Sequence, residues 1–484
     1  MEEKFNPAVA TVKGTFWTYL SQFSGKGLTL LTTAILARLL GKDDFGVASY
    51  AIITINLLDV LQDLGVGLAL IYHEEEYERT NAGFWVGIAM ATFLCIVTWL
   101  LAPLGAIFFH DPRATAVIRI LSLTFPISSL SNVHDSLMRK QLRFGRKIIP
   151  DFFRSAAKGI ISVVLAFAGF GAWSLIYGQV IGTAVATIAF WWICPFRPSL
   201  GFAKKFVRPL LSYGIASVTV DTLSAVTLNI DYLFVGHFLG AAALGVYTIS
   251  FRIPELLIKQ FCGVIGRVIF PIYTKLRTSR EELSNGFLST LHYVTLVTLP
   301  MAVALVILSK PFVYVFFSPK WKEAIPVMQW VSIHTLLRSM TFNLGDIYKA
   351  DGRVKLLARL SMLQVIILVP SLYWAITTYQ SIVAAAWIQV VTAFISGILK
   401  LAVAGRILRT SAKEFFLALK LPAFGTVVMA CVLTITMHSF REAPIYQLVV
   451  GLVVGGAAYL MALWYMGRDT MVTAGKVLRM AISR

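Results

Sequence analysis

The sequence predicts an all-α protein that crosses a membrane many times. Of its 484 residues, 57% are hydrophobic and only 14% are charged, and the mean hydropathy is +0.76. A typical soluble domain is about 25% charged, so the composition excludes that class. Apolar runs of about 20 residues recur along the chain, each long enough to cross a membrane as a helix. There are about fourteen such runs, at 14–37, 45–71, 84–109, 114–138, 151–170, 172–194, 209–236, 243–272, 287–309, 323–348, 356–378, 381–402, 421–438 and 444–466.

The basic residues lie mainly in alternate loops, which accounts for the formal net charge of +19. With Met1 inside, the cytoplasmic loops hold most of them, and the segment from Arg139 to Lys147 is one such cluster. This bias is the positive-inside rule and predicts that both termini are cytoplasmic. A bacterial inner membrane suits such a chain, and a contact with anionic lipids is the alternative interpretation of the cluster. Nucleic-acid binding is excluded, because no basic patch lies on a soluble domain.

Two short motifs indicate an internal duplication. The pattern L-G-x4-G-V occurs at Leu40–Val47, after the first run, and again at Leu239–Val246, after the seventh. The pattern N-x-x-D occurs at Asn132–Asp135 and at Asn343–Asp346, near the cytoplasmic ends of the fourth and tenth runs. In each copy of the first motif we expect glycine to allow a tight extracytoplasmic turn between two helices.

The duplication predicts two lobes of about six helices each, at residues 1–202 and 203–413. Two additional helices and a cytoplasmic tail then occupy 414–484. Because each lobe has an even number of spans, the lobes run parallel and are related by an axis along the membrane normal. Paired lobes of this kind indicate alternating access, in which they rock about a central site.

Several apolar runs carry a polar stripe on one helical face. In the first run, polar residues recur every three or four positions and align on a helix; they are Thr15, Thr18, Gln22, Lys26, Thr29 and Thr33. A charge near the bilayer centre costs about 2.5 to 3.5 kcal/mol on insertion scales, so such a face points into a cavity or a packed bundle. Later runs repeat the pattern with Asn56, Asp59, Asp63, Asp221, Asp231, Arg252, Lys259, His334 and Arg338.

The chain resembles the multidrug/oligosaccharidyl-lipid/polysaccharide (MOP) exporter superfamily. The resemblance rests on the arrangement of spans, the stretch A-R-L-L-G-K-D-D-F-G-V from Ala37 to Val47, and the region around Met138-Arg139-Lys140. Within that superfamily the chain is similar to the Wzx-type polysaccharide flippases of the colanic acid exporter kind. The resemblance implies a MATE-like fold and movement of an undecaprenyl-diphosphate-linked oligosaccharide from the cytoplasmic to the periplasmic leaflet. It also implies membrane lipids and the polysaccharide polymerase machinery as partners.

For a lipid diphosphate cargo, the intramembrane cations are the candidate ligands. Arg offers a planar fork of donors to phosphate oxygens, and Lys offers a compact charge. We therefore predict a cavity with the cations Lys26, Arg252, Lys259 and Arg338 and the polar side chains Thr18, Gln22, Thr29, Asn56 and His334. In the alternative interpretation the charges only lock helices together, for example by pairing Arg252 with Glu255 or Asp221.

Directional transport needs a driving force, and the nucleotide-binding motif G-x4-G-K-[ST] is absent from the sequence. We expect coupling to H⁺ or Na⁺ through intramembrane carboxylates, with Asp59, Asp63, Asp221 and Asp231 as candidates. Asp135 and Asp346 are candidates for a cytoplasmic gate, with solvation of a helix end as the alternative. No cofactor and no metal site is expected, because the four cysteines lack the spacing of metal ligands.

Three other functions remain as alternatives. A MATE-like antiporter for drugs or cations would share the fold, but it would favour an acidic and aromatic cavity. A flippase for the peptidoglycan lipid precursor would share it too, with several basic residues along the first helix, where this chain has Lys26 alone within the run. A membrane glycosyltransferase or polymerase is disfavoured, because such enzymes need a sizeable extramembrane loop or a clustered acid/base pair.

Two further patterns concern helix packing. Four prolines interrupt apolar runs and are candidate hinges, namely Pro254, Pro300, Pro326 and Pro370. Gly451-x-x-x-Gly455 in the last run allows close helix contact, either within the chain or between protomers, and we favour the first.

Overall fold

The computed structural model of the chain describes residues 25–62, 65–67, 70, 76–141, 143–201, 203–276, 279–439 and 443–467. All regular secondary structure in these ranges is helical. The prediction of an all-α protein is therefore confirmed.

The described residues form two compact units, 1–245 and 246–483. The helices up to the end of the first unit are α1 (25–39), α2 (Lys42–Gln62), α3 (Tyr77–Phe109), α4 (Arg113–Ser122), α5 (Thr124–Lys140), α6 (Phe144–Phe167), α7 (Ala172–Ile193) and α8 (Val207–Pro254). The last of these continues into the second unit and is broken at Gly240, which has φ 79° and ψ −175°. The predicted lobe boundaries at 202/203 and 413/414 stay predictions.

The second unit opens with a π-helical turn, Glu255–Lys259, directly after Pro254. Its further helices are α9 (Gln260–Leu276), α10 (Arg280–Phe312), α11 (Ala324–Thr341), α12 (Leu344–Ala350), α13 (Val354–Tyr379), α14 (Ile382–Leu408), α15 (Ala412–Ser439) and α16 (Pro444–Met466). A second π turn, Val313–Phe317, follows α10. Proline removes a backbone donor from the helical ladder, so the π turn after Pro254 agrees with the expected interruption there.

Every predicted apolar run coincides with one or two helices along most of its described length. Ten helical segments in the described part of the chain are long and apolar enough to cross a membrane. The fourth run consists of α4 and α5, which meet at Leu123, and the tenth consists of α11 and α12. Large apolar side chains on α16, among them Val453 and Tyr465, remain exposed on the protein surface. This is typical of helices that face lipid.

The glycine pair of α16 packs within the chain, as the sequence analysis favoured. A Cβ added at Gly455 would lie 2.7 Å from Cδ2 of Leu433 on α15, and one at Gly451 would lie 3.0 Å from Cδ2 of Leu308 on α10. Both distances are too short for an additional methyl group to be accommodated without movement.

The two copies of L-G-x4-G-V lie against each other in the first unit. A Cβ on Gly46 would overlap the backbone carbonyl of Ala241, and a Cβ on Gly245 would overlap the carbonyl oxygen of Lys42. Of the four glycines in the two copies, Gly240 alone adopts the positive φ of a turn; it is the first glycine of the second copy. Gly41 instead donates its N–H to the Asp44 carboxylate over 2.9 Å. The later glycine of each copy thus serves a backbone contact between α2 and α8 and not a turn.

The segment 194–201 after α7 is held to the start of α3 through its backbone. Tyr77 donates its hydroxyl to the Arg197 carbonyl over 2.8 Å, and Trp85 donates Nε1–H to the Ser199 carbonyl over 2.7 Å. Asn81 donates to the Gly201 carbonyl and accepts the Ser199 N–H over 2.9 Å. The three side chains are four residues apart and share one face of α3, so they fix this segment as a group.

We predict that Gly46→Ala destabilises the protein, because the added methyl group meets the Ala241 backbone, which cannot rotate away. Overpacking of this kind costs about 1 to 3 kcal/mol. Thermal unfolding of the purified protein in detergent measures the effect. Gly145→Ala is the matched control, since a Cβ there meets nothing within 4 Å. Equal melting temperatures for the two variants would contradict the prediction.

Candidate functional site

The polar stripe of α1 is described from Gly25 onward. Lys26 is exposed, and α1 packs on α6, where a Cβ on Gly159 would lie 2.6 Å from Oγ1 of Thr32. Thr29 donates its hydroxyl to the Gly25 carbonyl over 2.8 Å, within its own helix. The hydroxyl of Thr29 is therefore satisfied one turn back, as is common for threonine inside membrane helices.

The candidate coupling carboxylates differ in burial. Asp231 on α8 is 2% exposed, whereas Asp59 and Asn56 on α2 are exposed. Four further candidate site residues lie outside what the structure describes. Thr18, Gln22 and Asp63 are not described at all, and only the backbone of Asp221 is described. Among the described candidates for ion coupling, Asp231 is therefore the one removed from solvent.

The second unit brings three cations together on separate segments. Lys259 ends the π turn, Arg338 lies on α11 and Lys400 lies on α14, and α11 packs on both of the other segments. Lys259 and Arg338 lie within electrostatic range of His334, and Lys400 lies within range of Arg338. We call Lys259, Arg338 and Lys400 the cation group. It places positive charge from three segments around one helix, α11.

The surroundings of the cation group differ from one member to the next. Lys259 is exposed and lies 2.9 Å from the Glu255 carboxylate, one turn earlier. Lys400 donates from Nζ to Oε1 of Gln364 over 2.8 Å, so this hydrogen bond leaves its charge unneutralised. Arg338 is exposed. His334 beneath it is 7% exposed, and its ring lies 6.2 Å from that of Phe251. Glu255 pairs with Lys259. The alternative pairing of Arg252 stays a prediction, because the side chain of its other candidate partner, Asp221, lies outside the described part of the structure.

Lys400 was missed by the sequence analysis. It is a single cation inside the twelfth apolar run, between Leu399 and Leu401. That is the same signal that singled out Lys26. Its position near the cytoplasmic end of the run resembles that of a lysine that reaches out to the membrane interface. Its contact with Gln364 of α13 shows instead that its head group is turned towards a neighbouring helix.

The two N-x-x-D motifs are in different surroundings. Asp135 on α5 forms ion pairs with Arg139 on the same helix and with Lys147 on α6. Asp346 on α12 is half-buried, and among the described residues no basic side chain pairs with it within 4 Å. Asn343 donates to the Tyr273 hydroxyl over 2.9 Å. The two motifs therefore differ in the ion pairs of their described residues, and the cytoplasmic gate stays a prediction.

A many-spanning helical fold with cations and carboxylates on its helix faces defines a membrane transporter. The chain belongs to the family described as polysaccharide biosynthesis protein, which matches residues 35–326. It is 26% identical over 366 residues to the lipopolysaccharide biosynthesis protein WzxC of Escherichia coli (strain K12), covering 75% of this chain and 74% of WzxC. It is 22% identical over 450 residues to the succinoglycan biosynthesis transport protein ExoT of Rhizobium meliloti (strain 1021), covering 92% of this chain and 90% of ExoT.

Two solved structures share the fold. The lipid II flippase MurJ in its inward closed conformation matches with a TM-score of 0.76 at 14% identity, over 94% of this chain and 99% of MurJ. An inward-facing multidrug resistance MATE family transporter of the MOP superfamily matches with a TM-score of 0.65 at 14% identity, over 81% of this chain and 99% of that one. The family and the two relatives confirm the predicted resemblance to polysaccharide exporters, and with it a transporter and not an enzyme. The solved structures confirm the predicted fold.

We predict that Asp135→Asn lowers the free energy of unfolding by about 1 to 3 kcal/mol, because it leaves Lys147 without its partly buried partner. Asp151→Asn is the control, since Asp151 is more exposed and lies 3.7 Å from the same amine. We expect that change to stay within about 0.5 kcal/mol. Thermal unfolding in detergent compares the two variants, and similar losses would show that the Asp135 pairs contribute little.

Proposed function

We propose that the chain is a flippase for an undecaprenyl-diphosphate-linked oligosaccharide, such as a colanic-acid-like exopolysaccharide or O-antigen repeat unit. It moves this cargo from the cytoplasmic to the periplasmic leaflet of a bacterial inner membrane by alternating access, with both termini in the cytoplasm. A polysaccharide polymerase is the partner that receives the translocated unit. The observation that carries the proposal is the cation group of Lys259, Arg338 and Lys400.

The cation group suits a diphosphate headgroup because it joins the two kinds of phosphate ligand. Arg338 offers parallel N–H donors to two oxygens, and Lys400 offers a point charge. Each cation placed in a membrane helix costs about 2.5 to 3.5 kcal/mol on insertion scales, and an anionic counterpart lowers that cost. A headgroup that enters and leaves supplies that counterpart without locking the helices permanently.

The similar proteins support a lipid-linked sugar as cargo. WzxC is named for lipopolysaccharide biosynthesis and ExoT for succinoglycan transport. MurJ is named a lipid II flippase. The MATE neighbour shows that the same fold also belongs to multidrug transporters, and a drug antiporter is therefore the competing outcome of the experiment.

We predict that Arg338→Gln and Lys400→Gln each slow export roughly tenfold or more, because each loses a charge-assisted bond to phosphate. Glutamine at position 400 can still form a hydrogen bond with Gln364. The assay follows undecaprenyl-diphosphate oligosaccharide in proteoliposomes by the rate at which an added lectin gains access to the glycan. The exposed Lys413→Gln variant is the control, since Lys413 lies at the start of α15 and outside the cation group.

One result would reject the flippase assignment, and another would reject the role of the cation group. One is export of ethidium without movement of any polyprenyl-linked glycan, which would identify a drug antiporter. The other is glycan movement that is equally fast in the Arg338, Lys400 and Lys413 variants, which would remove the cation group from the mechanism.

We further propose that transport is coupled to H⁺ or Na⁺ at Asp231, the buried carboxylate of α8. An intramembrane carboxyl that is screened from solvent can take up a cation in one conformation and release it in the other. Asp231→Asn should abolish the acceleration that an imposed pH or Na⁺ gradient gives in the proteoliposome assay. Asp59→Asn, at an exposed position, should keep it. If both variants keep the acceleration by the gradient, coupling at Asp231 is excluded.

A further inference from the structure

A pocket of about 630 Å³ lies in the first unit, where α2 begins, α3 ends and α8 breaks at Gly240. Its volume falls within the range of about 300 to 1,000 Å³ typical of small-molecule sites. We call it the Arg113 pocket. All of its lining residues belong to residues 1–245, whereas the cation group belongs to the second unit.

One wall of the Arg113 pocket is a guanidinium held between two carboxylates. Arg113 donates Nη2–H to Asp111 over 2.8 Å and to Asp43 over 3.2 Å, and Nε–H to Asp111 over 3.0 Å. The hydrogen bond from Arg113 holds the pKa of Asp111 below its usual range. The Asp43 carboxylate is half-exposed, so its oxygens remain accessible to hydroxyl donors from a ligand.

Aromatic and histidine rings also line the Arg113 pocket. Phe238 is 39% exposed and meets the His237 ring edge-on, with the ring centres 4.4 Å apart. The His237 ring lies 4.9 Å from that of His110, and it is anchored by a hydrogen bond to the Phe108 carbonyl. His110 closes α3 with a left-handed backbone, φ 54°. The rings are therefore positioned by the end of α3 and by the break in α8.

We infer that the Arg113 pocket binds an uncharged sugar ring of the exported glycan. A sugar has hydroxyl groups around its edge and C–H groups on its face. The carboxylates of Asp43 and Asp111 accept from hydroxyls, Arg113 donates to them, and the Phe238 ring packs on the C–H face. Two carboxylates outnumber one guanidinium, which disfavours an anionic ligand. The choice of ligand rests on the proposed function, and the pocket is an additional site for the glycan beside the cation group for the headgroup.

The position of the pocket fits the leaflet in which the glycan arrives. In the proposed orientation, the turns after α1 and α3 face the periplasm, and both border the pocket through Asp43 and His110. A sugar bound there would lie on the periplasmic side, where the glycan arrives after it has crossed the membrane.

Binding is tested on the full chain in lipid nanodiscs by saturation-transfer NMR. The probes are maltotetraose, cellotetraose and the glycan released by mild acid from the undecaprenyl-linked pool of the host. We expect transfer from protein to ring protons in the wild type. Phe238→Ala and Asp43→Asn should each weaken binding about tenfold, from loss of one packing surface or one acceptor. Phe170→Ala should bind as the wild type does, because Phe170 is an exposed ring outside the pocket.

Several outcomes would overturn the inference. These are no transfer to any of the three probes, equal transfer in all variants, or displacement of the sugar by glycerophosphoethanolamine, which would make the pocket a lipid headgroup site. The proteoliposome assay separates this inference from the proposed function. Glycan export that persists in a wild type lacking sugar binding would reject the pocket alone, whereas sugar binding without export would reject the flippase and leave the pocket standing.

Discussion

The backbone contact between α2 and α8 determines the arrangement of the first unit around its pocket. Gly46 and Gly245 leave no room for side chains, so the two helices touch main chain to main chain. One turn along α2, Tyr50 is fully buried and stacks on Phe109 with ring centres 4.2 Å apart. Gly236 lets α8 approach the Phe109 ring closely, because a Cβ on Gly236 would lie only 2.9 Å from Cε1 of Phe109. These contacts hold the start of α2, the end of α3 and the break in α8 together, and the Arg113 pocket is the space between them.

The two proposed charged sites lie in different units. The buried carboxylate Asp231 lies in the first, and the cation group lies on and beside α11 in the second. The proposed ion coupling and the proposed binding of an anionic headgroup would therefore use separate segments. The π turn after Pro254 places Lys259 by a local change of helical pitch. π turns frequently lie at functional sites.

The helices followed from the sequence, because an apolar run of membrane length can bury its backbone only as a helix. The contacts between helices did not. L-G-x4-G-V correctly indicated a turn at Gly240, but the packing role of Gly46 depends on Ala241, far away along the chain. Asp231 was foreseen as a candidate, and only its burial distinguishes it from Asp59. The Arg113 pocket was not predicted, since Asp43, Arg113 and Phe238 come from three segments that no periodicity connects.

The hold of α3 on the segment 194–201 has a consequence for how such chains diverge. Tyr77, Asn81 and Trp85 all contact main-chain atoms, at Arg197, Ser199 and Gly201. Main-chain carbonyls are present whatever the side chain, so substitutions in this segment leave the hydrogen bonds intact. We therefore expect sequence constraint on the three donors in α3 and less on the residues that they hold. Among distant relatives, an aromatic-amide-aromatic triplet at intervals of four would identify this connection after the sequence of the segment itself has become unrecognisable.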